Sequence, residues 1–324
     1  MNKLQRILIA ILVVQLALIA LVFWPKPQTV ENRELVLAEK LAEEVTALMI
    51  SDTNGNVVNL AKTDDAWILV DADNFPAETT KVNTMLENLF AVRYGRLVAE
   101  NRSSHQRLEV GQEVYNRRIT MTYANEESQT IYIGSTPAAA STHFRLEGDD
   151  NVYLSDQLTS SSYGSNMASW INTSLVRIAA DTVMAIQMVN ANGQVDFSRL
   201  EDGTWTVENL AEGELANVEA ITTLLNRVTG LSIVEPLGIS DEDTYGLNTP
   251  IAAINLIMLD EAGSPEEMVL VFGAVDEKTG TVVVKSSASE YYVKVNSSNI
   301  LDSLKSSIAN FVIVPETEEA TPES

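Results

Sequence analysis

An eleven-residue pattern occurs twice in this chain without a gap: VTALMISDTNG, Val45 to Gly55, and VMAIQMVNANG, Val183 to Gly193. In each copy a tryptophan, Trp67 or Trp205, follows twelve residues after the glycine. Asn-Gly between apolar runs is a strong hairpin signal, because both residues accept the positive φ of a type I′ turn. Residues 47–53 should therefore pair with 56–61 around Asn54 and Gly55, and 184–191 with 194–200 around Asn192 and Gly193. A second polar turn (63–65, then 201–203) leads into a Trp strand, 67–70 or 205–207.

A helix follows in both copies. Val82, Met85, Leu86 and Leu89 share one apolar face, and Ile221, Leu224, Leu225 and Val228 form its counterpart. Strands are expected next at 119–123 and 130–134 in the first copy, and at 253–259 and 268–273 in the second. Last strands, 152–154 and 291–295, close each unit. The chain thus reads as an α+β protein: two tandem repeats of a mostly antiparallel sheet, each with one packed helix.

Ahead of the repeats, residues 7–24 are apolar except for Gln15. Eighteen residues reach about 27 Å, enough to span the hydrocarbon core. Phe23 and Trp24 stand where an interfacial aromatic belt falls, and Pro25 and Pro27 end the helix. A cleaved signal peptide needs small residues at its cleavage site, and this run ends in Leu, Val, Phe and Trp. We read it as an uncleaved single-pass signal anchor. Residues 1–6, with Lys3 and Arg6, lie in the cytoplasm, and the C-terminal domains lie outside it at the cell membrane.

Residues 25–44 read as a stalk helix, with Val30, Leu37, Leu41, Val45 and Leu48 at helical spacing. Repeat domain 1 covers 45–158 and repeat domain 2 covers 181–312. Between them, 159–180 is a Ser-rich linker and lead-in, helical from Trp170, which is placed to cap the second unit. Residues 313–324 carry four glutamates and no base, the composition of an acidic disordered tail.

Forty-five acidic residues against 21 basic ones leave a formal charge of −24, which excludes a phosphate-tracking nucleic-acid surface. The absence of cysteine excludes disulfides, thiolate metal sites, Cys nucleophiles and a lipid-anchor cysteine. Nucleophile-elbow, Ser-x-x-Lys, zincin and phosphate-loop motifs are absent as well. His105 and His143, the two histidines, sit in polar surroundings and read as surface residues. Two acidic clusters, Asp241-Glu242-Asp243 and Glu147 with Asp149 and Asp150, raise calcium, but neither follows a regular loop. Trp67 and Trp205 read as core, over a sugar-stacking platform.

Tyr245-Gly246-Leu247, the Pro250 that follows, and the strand ending at Phe272-Gly273 resemble the bacterial domain-of-unknown-function family 4340. In the first copy, Arg107, Leu108, Glu109, Val110 and Gly111 stand in place of that signature, and no proline follows. The resemblance covers roughly residues 45–304. It implies a membrane-anchored accessory protein linked to ABC transport systems of the gliding-motility type, and carries over no catalytic residue. The expectation is therefore a non-enzymatic extracytoplasmic scaffold or accessory subunit, without cofactor, metal or nucleic acid, whose partners are the membrane and ABC permease or auxiliary subunits. The alternative is a module binding envelope polymer or peptide in the cleft between the repeats. Function should lie where the copies differ, so Tyr245, Gly246, Leu247, Asp241 and Asp243 form the candidate partner or ligand surface.

Overall fold

A computed structural model of the chain describes residue 15 and residues 34–137, 141–259, 263–298 and 300–315. Residues 7–24, Gln15 apart, and the acidic tail from residue 316 lie outside these, and among the described residues no helix is long and apolar enough to cross a membrane. The first unit comprises β1 (Val45–Ser51), β2 (Val57–Thr63), β3 (Ala66–Leu69), β4 (Phe75–Pro76), α1 (Thr79–Phe90), β5 (Arg96–Ala99), β6 (Arg117–Tyr123), β7 (Ser128–Ile133), β8 (Thr142–Leu146) and β9 (Val152–Ser155). The second comprises β10 (Val183–Asn190), β11 (Gly193–Arg199), β12 (Trp205–Val207), β13 (Leu215–Ala216), α2 (Val218–Thr229), β14 (Ile233–Gly238), β15 (Ala252–Leu259), β16 (Pro265–Asp276), β17 (Thr281–Ser286), β18 (Tyr292–Asn296), α3 (Leu301–Leu304) and β19 (Val312–Ile313).

The duplication extends to topology. One sheet runs β4-β3-β2-β1-β6-β7-β8-β9-β5 and the other β12-β11-β10-β15-β16-β17-β18-β14, and every pairing is antiparallel. Period-2 patterning decides which face is covered: Ile119, Met121 and Tyr123 of β6 turn inward, as do Ala252, Ile254, Leu256 and Met258 of β15. Against these faces α1 buries Val82, Met85, Leu86 and Leu89, and α2 buries Ile221, Leu224, Leu225 and Val228. Asn217 caps α2 by accepting from the Ala220 N–H at 3.2 Å. Trp67 is buried in this layer, its indole N–H donating to Asn83 of α1 at 2.8 Å, and Trp205 is buried likewise. Edge strands β5 and β14 have no counterpart in the sequence reading.

The hairpin turns differ from expectation. Only the glycine of each Asn-Gly pair has positive φ, +87° at Gly55 and +111° at Gly193, whereas a type I′ turn needs it at both residues. Ser51 faces Val57 across the first loop, and Asn190 faces Gly193 across the second. The reason is an Asx turn. Asp52 accepts from the Asn54 N–H at 2.9 Å and Asn190 from the Asn192 N–H at 2.8 Å, which selects a different backbone path. Two successive positive φ values occur instead one loop later, at Asp64 and Asp65.

Residues 34–44 do not form the expected stalk helix. Leu35 bridges Arg93, turns follow, and Ala42–Glu44 is a single 3-10 turn. A helical stripe would have buried Leu41 with Leu37, yet Leu41 is 57% exposed. Val36 N–H donates to Val92 O at 2.9 Å and Tyr94 N–H to Glu34 O at 3.0 Å, so pairing beside β5 outweighs helix propensity. The second unit repeats this entry: Leu175 donates to Leu231 O and Ile233 to Thr173 O.

Residues 159–180 are likewise packed, without the helix expected from Trp170. Tyr163, Ser165, Trp170, Ile171 and Val176 are buried, and a 3-10 turn, Met167–Trp170, ends at Trp170. The Trp170 carbonyl accepts from Glu78 N–H at 2.7 Å, and the turn also touches β14, so this residue joins the two units. Farther along the seam, Phe75 meets Tyr291 edge-on at 4.7 Å, and Asp73 accepts from the Ile239 N–H at 2.9 Å. Buried side chains of both units form one continuous apolar cluster.

Each unit is closed by a polar clamp at the same Asx position. Asp52 accepts from Ser165 Oγ at 2.7 Å and from Asn56, and lies 3.9 Å from Arg117, which itself donates to Tyr163 O. Asn190 donates to the carbonyls of Leu304 and Ser306, both at 2.8 Å. Burial raises the Asp52 carboxyl, but hydrogen bonds from Asn56, Ser165 and Asn54 outweigh it and hold the group below its ordinary value. A depressed folded-state pKa stabilises above the unfolded value, about 3.9, and that contribution is lost as pH falls through the folded one. Asp52→Asn should therefore lower stability at pH 7 by about 1–3 kcal/mol. Urea midpoints taken from pH 7 to pH 3 should show this gap closing below roughly pH 4; a gap independent of pH would contradict the clamp.

Candidate binding cleft on the second repeat

The connection from β14 to β15, residues 239–251, carries all five candidate residues. Tyr245 N–H donates to Glu242 O at 2.8 Å, making a 3-10 turn, Asp243–Tyr245, that ends at Gly246 with φ +67°. The Tyr245 carbonyl then lies against Gly273 so closely that a Cβ there would stand 2.1 Å from it. Two glycines are thus required for different reasons, Gly246 for its dihedral and Gly273 for the approach.

The first unit takes the same path with different side chains. Glu109 adopts φ +57°, and the Leu108 carbonyl lies 2.2 Å from where a Cβ on Gly134 would be. Arg107 to Val110 is therefore the structural equivalent of the Tyr-Gly-Leu turn. Side-chain identity alone shows only a departure there, because the turn is specified by backbone conformation and by the glycine opposite.

What the turns cover differs. In the first unit Leu108 and Val110 close over Tyr132 and Val152 as a small second core. Arg145 pins that roof: its guanidinium donates to the carbonyls of Val110, Leu146 and Asp149 at 2.8–3.1 Å and lies 4.5 Å from the Tyr132 ring centre. In the second unit the roof is shorter and leaves a cleft of about 650 Å³ lined by Tyr245, Thr244, Leu237, Val283, Lys278 and Lys294 among others. Tyr245 packs on Tyr292 at 5.4 Å, and desolvation raises its phenol. Lys294 is paired to Glu235 at 2.7 Å. At the rim, hydrogen bonds from Thr279 and from the Lys278 and Thr279 N–H groups hold the Asp276 carboxyl below its usual range.

The five sequence candidates thus separate. Tyr245 lines the cleft, Gly246 and Leu247 lie against Gly273 and Ala274, and the exposed Asp241 and Asp243 are not among the lining residues. The side chains that meet here are apolar groups, hydroxyls, lysines and carboxylates, an arrangement suited to binding a chain of mixed polarity. No histidine is among them.

Both histidines are buried, contrary to the surface reading. His105 Nε2 shares a hydrogen bond with the Asp150 carbonyl at 2.9 Å, and His143 Nδ1 with Ser135 Oγ at 3.1 Å. Burial lowers His143, and nearby Arg107 and Arg96 lower it further, against the raising effect of Ser135. Polar sequence neighbours concealed this, because the Asp150 carbonyl that His105 meets lies 45 residues away and the Leu108 turn beside Ser135 lies far in sequence from His143. The acidic cluster at 147–150 is divided among partners: the Asp150 carboxylate pairs with Arg102 and that of Asp149 caps the Asn151 N–H, both at 2.9 Å. Among the described residues, no three or more of His, Asp and Glu converge as a metal-binding group.

Exchanging the turn residues tests the equivalence. Gly246→Ala should destabilise by about 1–3 kcal/mol through strain, since its Cβ would also meet the Ala274 nitrogen at 2.9 Å. Glu109→Gly should stabilise by about 1 kcal/mol by relieving a left-handed residue. Thermal or urea unfolding of the two variants decides it, and shifts of the same sign in both would refute the pairing.

No curated protein and no solved structure matches the chain. A family model does match, over residues 67–250, from Trp67 in the first repeat to the proline that closes the Tyr-Gly-Leu turn of the second. This covers more than half of the sequence, and the chain therefore belongs to the family described as "Domain of unknown function (DUF4340)".

Proposed function

We propose that this chain is a non-enzymatic, membrane-anchored extracytoplasmic scaffold or accessory subunit of an ABC-type transport system. The observation that carries the reading is the use made of the duplicated positions. The Asx clamps, the turn glycines and both hairpin tryptophans are occupied in closing and packing the two units. The apolar run at 7–24 supports an anchor, and the likeness to gliding-motility-type accessory proteins supports the transporter link as an analogy.

A second reading, binding of envelope polymer or peptide, draws on the cleft beside Tyr245. It would use that cleft rather than the seam between the repeats, where Phe75, Tyr291 and Asp73 are already in contact.

Affinity purification of the full chain from mild detergent should recover permease or ATPase subunits, and protease added to intact spheroplasts should digest the repeats. Recovery of no transporter subunit under conditions that keep the chain intact would remove the accessory role, and full protection of the repeats would remove the extracytoplasmic placement. Retained binding of peptidoglycan or envelope peptide, lost in Tyr245→Ala, would favour the second reading.

A further inference from the structure

The two units meet their surroundings through equivalent edges. In the second unit, β14 is covered by what precedes it in the chain. The 3-10 turn Val70–Ala72 and the turn Met167–Trp170 pack on it, Asp73 accepts from Ile239 N–H, and Pro236 and Gly238 are buried. The equivalent edge of the first unit is β5, beside which the bridge of Leu35 with Arg93 repeats that of Ser174 with Ser232. There Leu97, the register equivalent of the buried Pro236, is 42% exposed. What precedes the first unit is the apolar run ending at Trp24. Nine residues lie between Trp24 and Glu34, and these ten Cα-to-Cα steps span at most about 35 Å.

Charge separates the two edges. Arg93, Arg96 and Arg107 of the first unit correspond to Ser232, Glu235 and Thr244 of the second, through the paired bridges, the strand register and the turn equivalence. Residues 93–107 hold four arginines and one acid, in a chain of net charge −24. Arg96 and Arg107 are exposed and both lie near His143, as does Glu109, so these two cations share one face of β5 and its roof, while Arg102 is paired with Asp150.

We propose that this arginine edge seats the first unit on the anionic headgroups of the membrane that holds its anchor. The inference rests on the anchor reading of residues 7–24. Phosphate headgroups complement the cations. Packing against what comes before then occurs in both units, with lipid taking the place that the first unit occupies for the second. Juxtamembrane arginines are drawn to an anionic surface and released by salt.

The chain lacks cysteine, so single labels can be placed at Leu97→Cys on β5 and, as control, at Val234→Cys on β14, where the native side chain is 43% exposed. The full-length protein is reconstituted in nanodiscs of zwitterionic lipid or of zwitterionic lipid with phosphatidylglycerol, and quenching by a headgroup nitroxide is read. Label at 97 should be quenched in the anionic discs alone, and label at 234 in neither. Neutralising Arg93, Arg96 and Arg107 to Gln should lower the docked-to-undocked ratio roughly fivefold per arginine, with an unchanged urea midpoint as folding control. A chain retained in the disc with position 97 unquenched, or quenched equally in both lipids, overturns the docking and leaves the anchor standing. A chain that elutes apart from the discs overturns both. Protection of position 97 that requires added membrane protein assigns the edge to an acidic partner and overturns the lipid assignment.

Discussion

One twelve-residue helix is too small to cover the sheet it packs on, and much of this structure answers that constraint. A helix of that length spans about 18 Å, while nine strands side by side extend roughly 38 Å. Exposed apolar sheet surface is costly in water, so other segments must complete the layer. In the first unit these are Leu158, Tyr163, Trp170 and Ile171 from the segment after β9. In the second they are Ile300, Leu304 and Phe311, the last packed edge-on against Phe197 at 4.8 Å. The clamps at Asp52 and Asn190 hold these trailing segments in place, which explains why the same hairpin position carries the tie in both copies.

Gene-level symmetry and chemical asymmetry are thus distributed differently over the molecule. Backbone devices recur: the lead-in bridge and the carbonyl seated on a strand-end glycine. Side chains that face outward do not recur. One roof seals over a second small core with a buried guanidinium, while the other leaves a cleft. One sheet edge carries exposed arginines and Leu97, while the other is neutral to acidic and packs its Pro236 and Gly238 against the preceding segments. Duplicated folding units with divergent surfaces are an economical way to present different faces to different neighbours.

Much of this was legible in the residues. Both helices and their buried faces follow from 3.6-residue periodicity, and the pairing of β1 with β2 and of β10 with β11 follows from hairpin composition. The burial of both tryptophans follows from their place beside the helix. Other elements left no such trace. β5, with Arg96 and Leu97 exposed, does not alternate as a half-buried strand should, because it is an edge. Residues 34–44 carry a helical stripe that pairing with 92–94 overrides. A Ser-rich composition masked the packing of residues 159–180, where burial falls on Tyr163, Ser165, Trp170 and Ile171.

The sequence by itself determined that two copies of one sheet-and-helix unit lie in this chain, because periodicity, turn residues and the repeated Trp are local properties that survive duplication. It determined also the acidic charge, the absence of thiol chemistry and an apolar run long enough to span a bilayer. Only the tertiary structure decided that the copies share one core, that both histidines are buried, and that Arg107 to Val110 is the same turn as the Tyr-Gly-Leu element. Those facts depend on contacts between residues far apart in sequence, such as a carbonyl against Gly134 or Gly273. The arginine edge likewise becomes visible only when β5 is set against β14 in space.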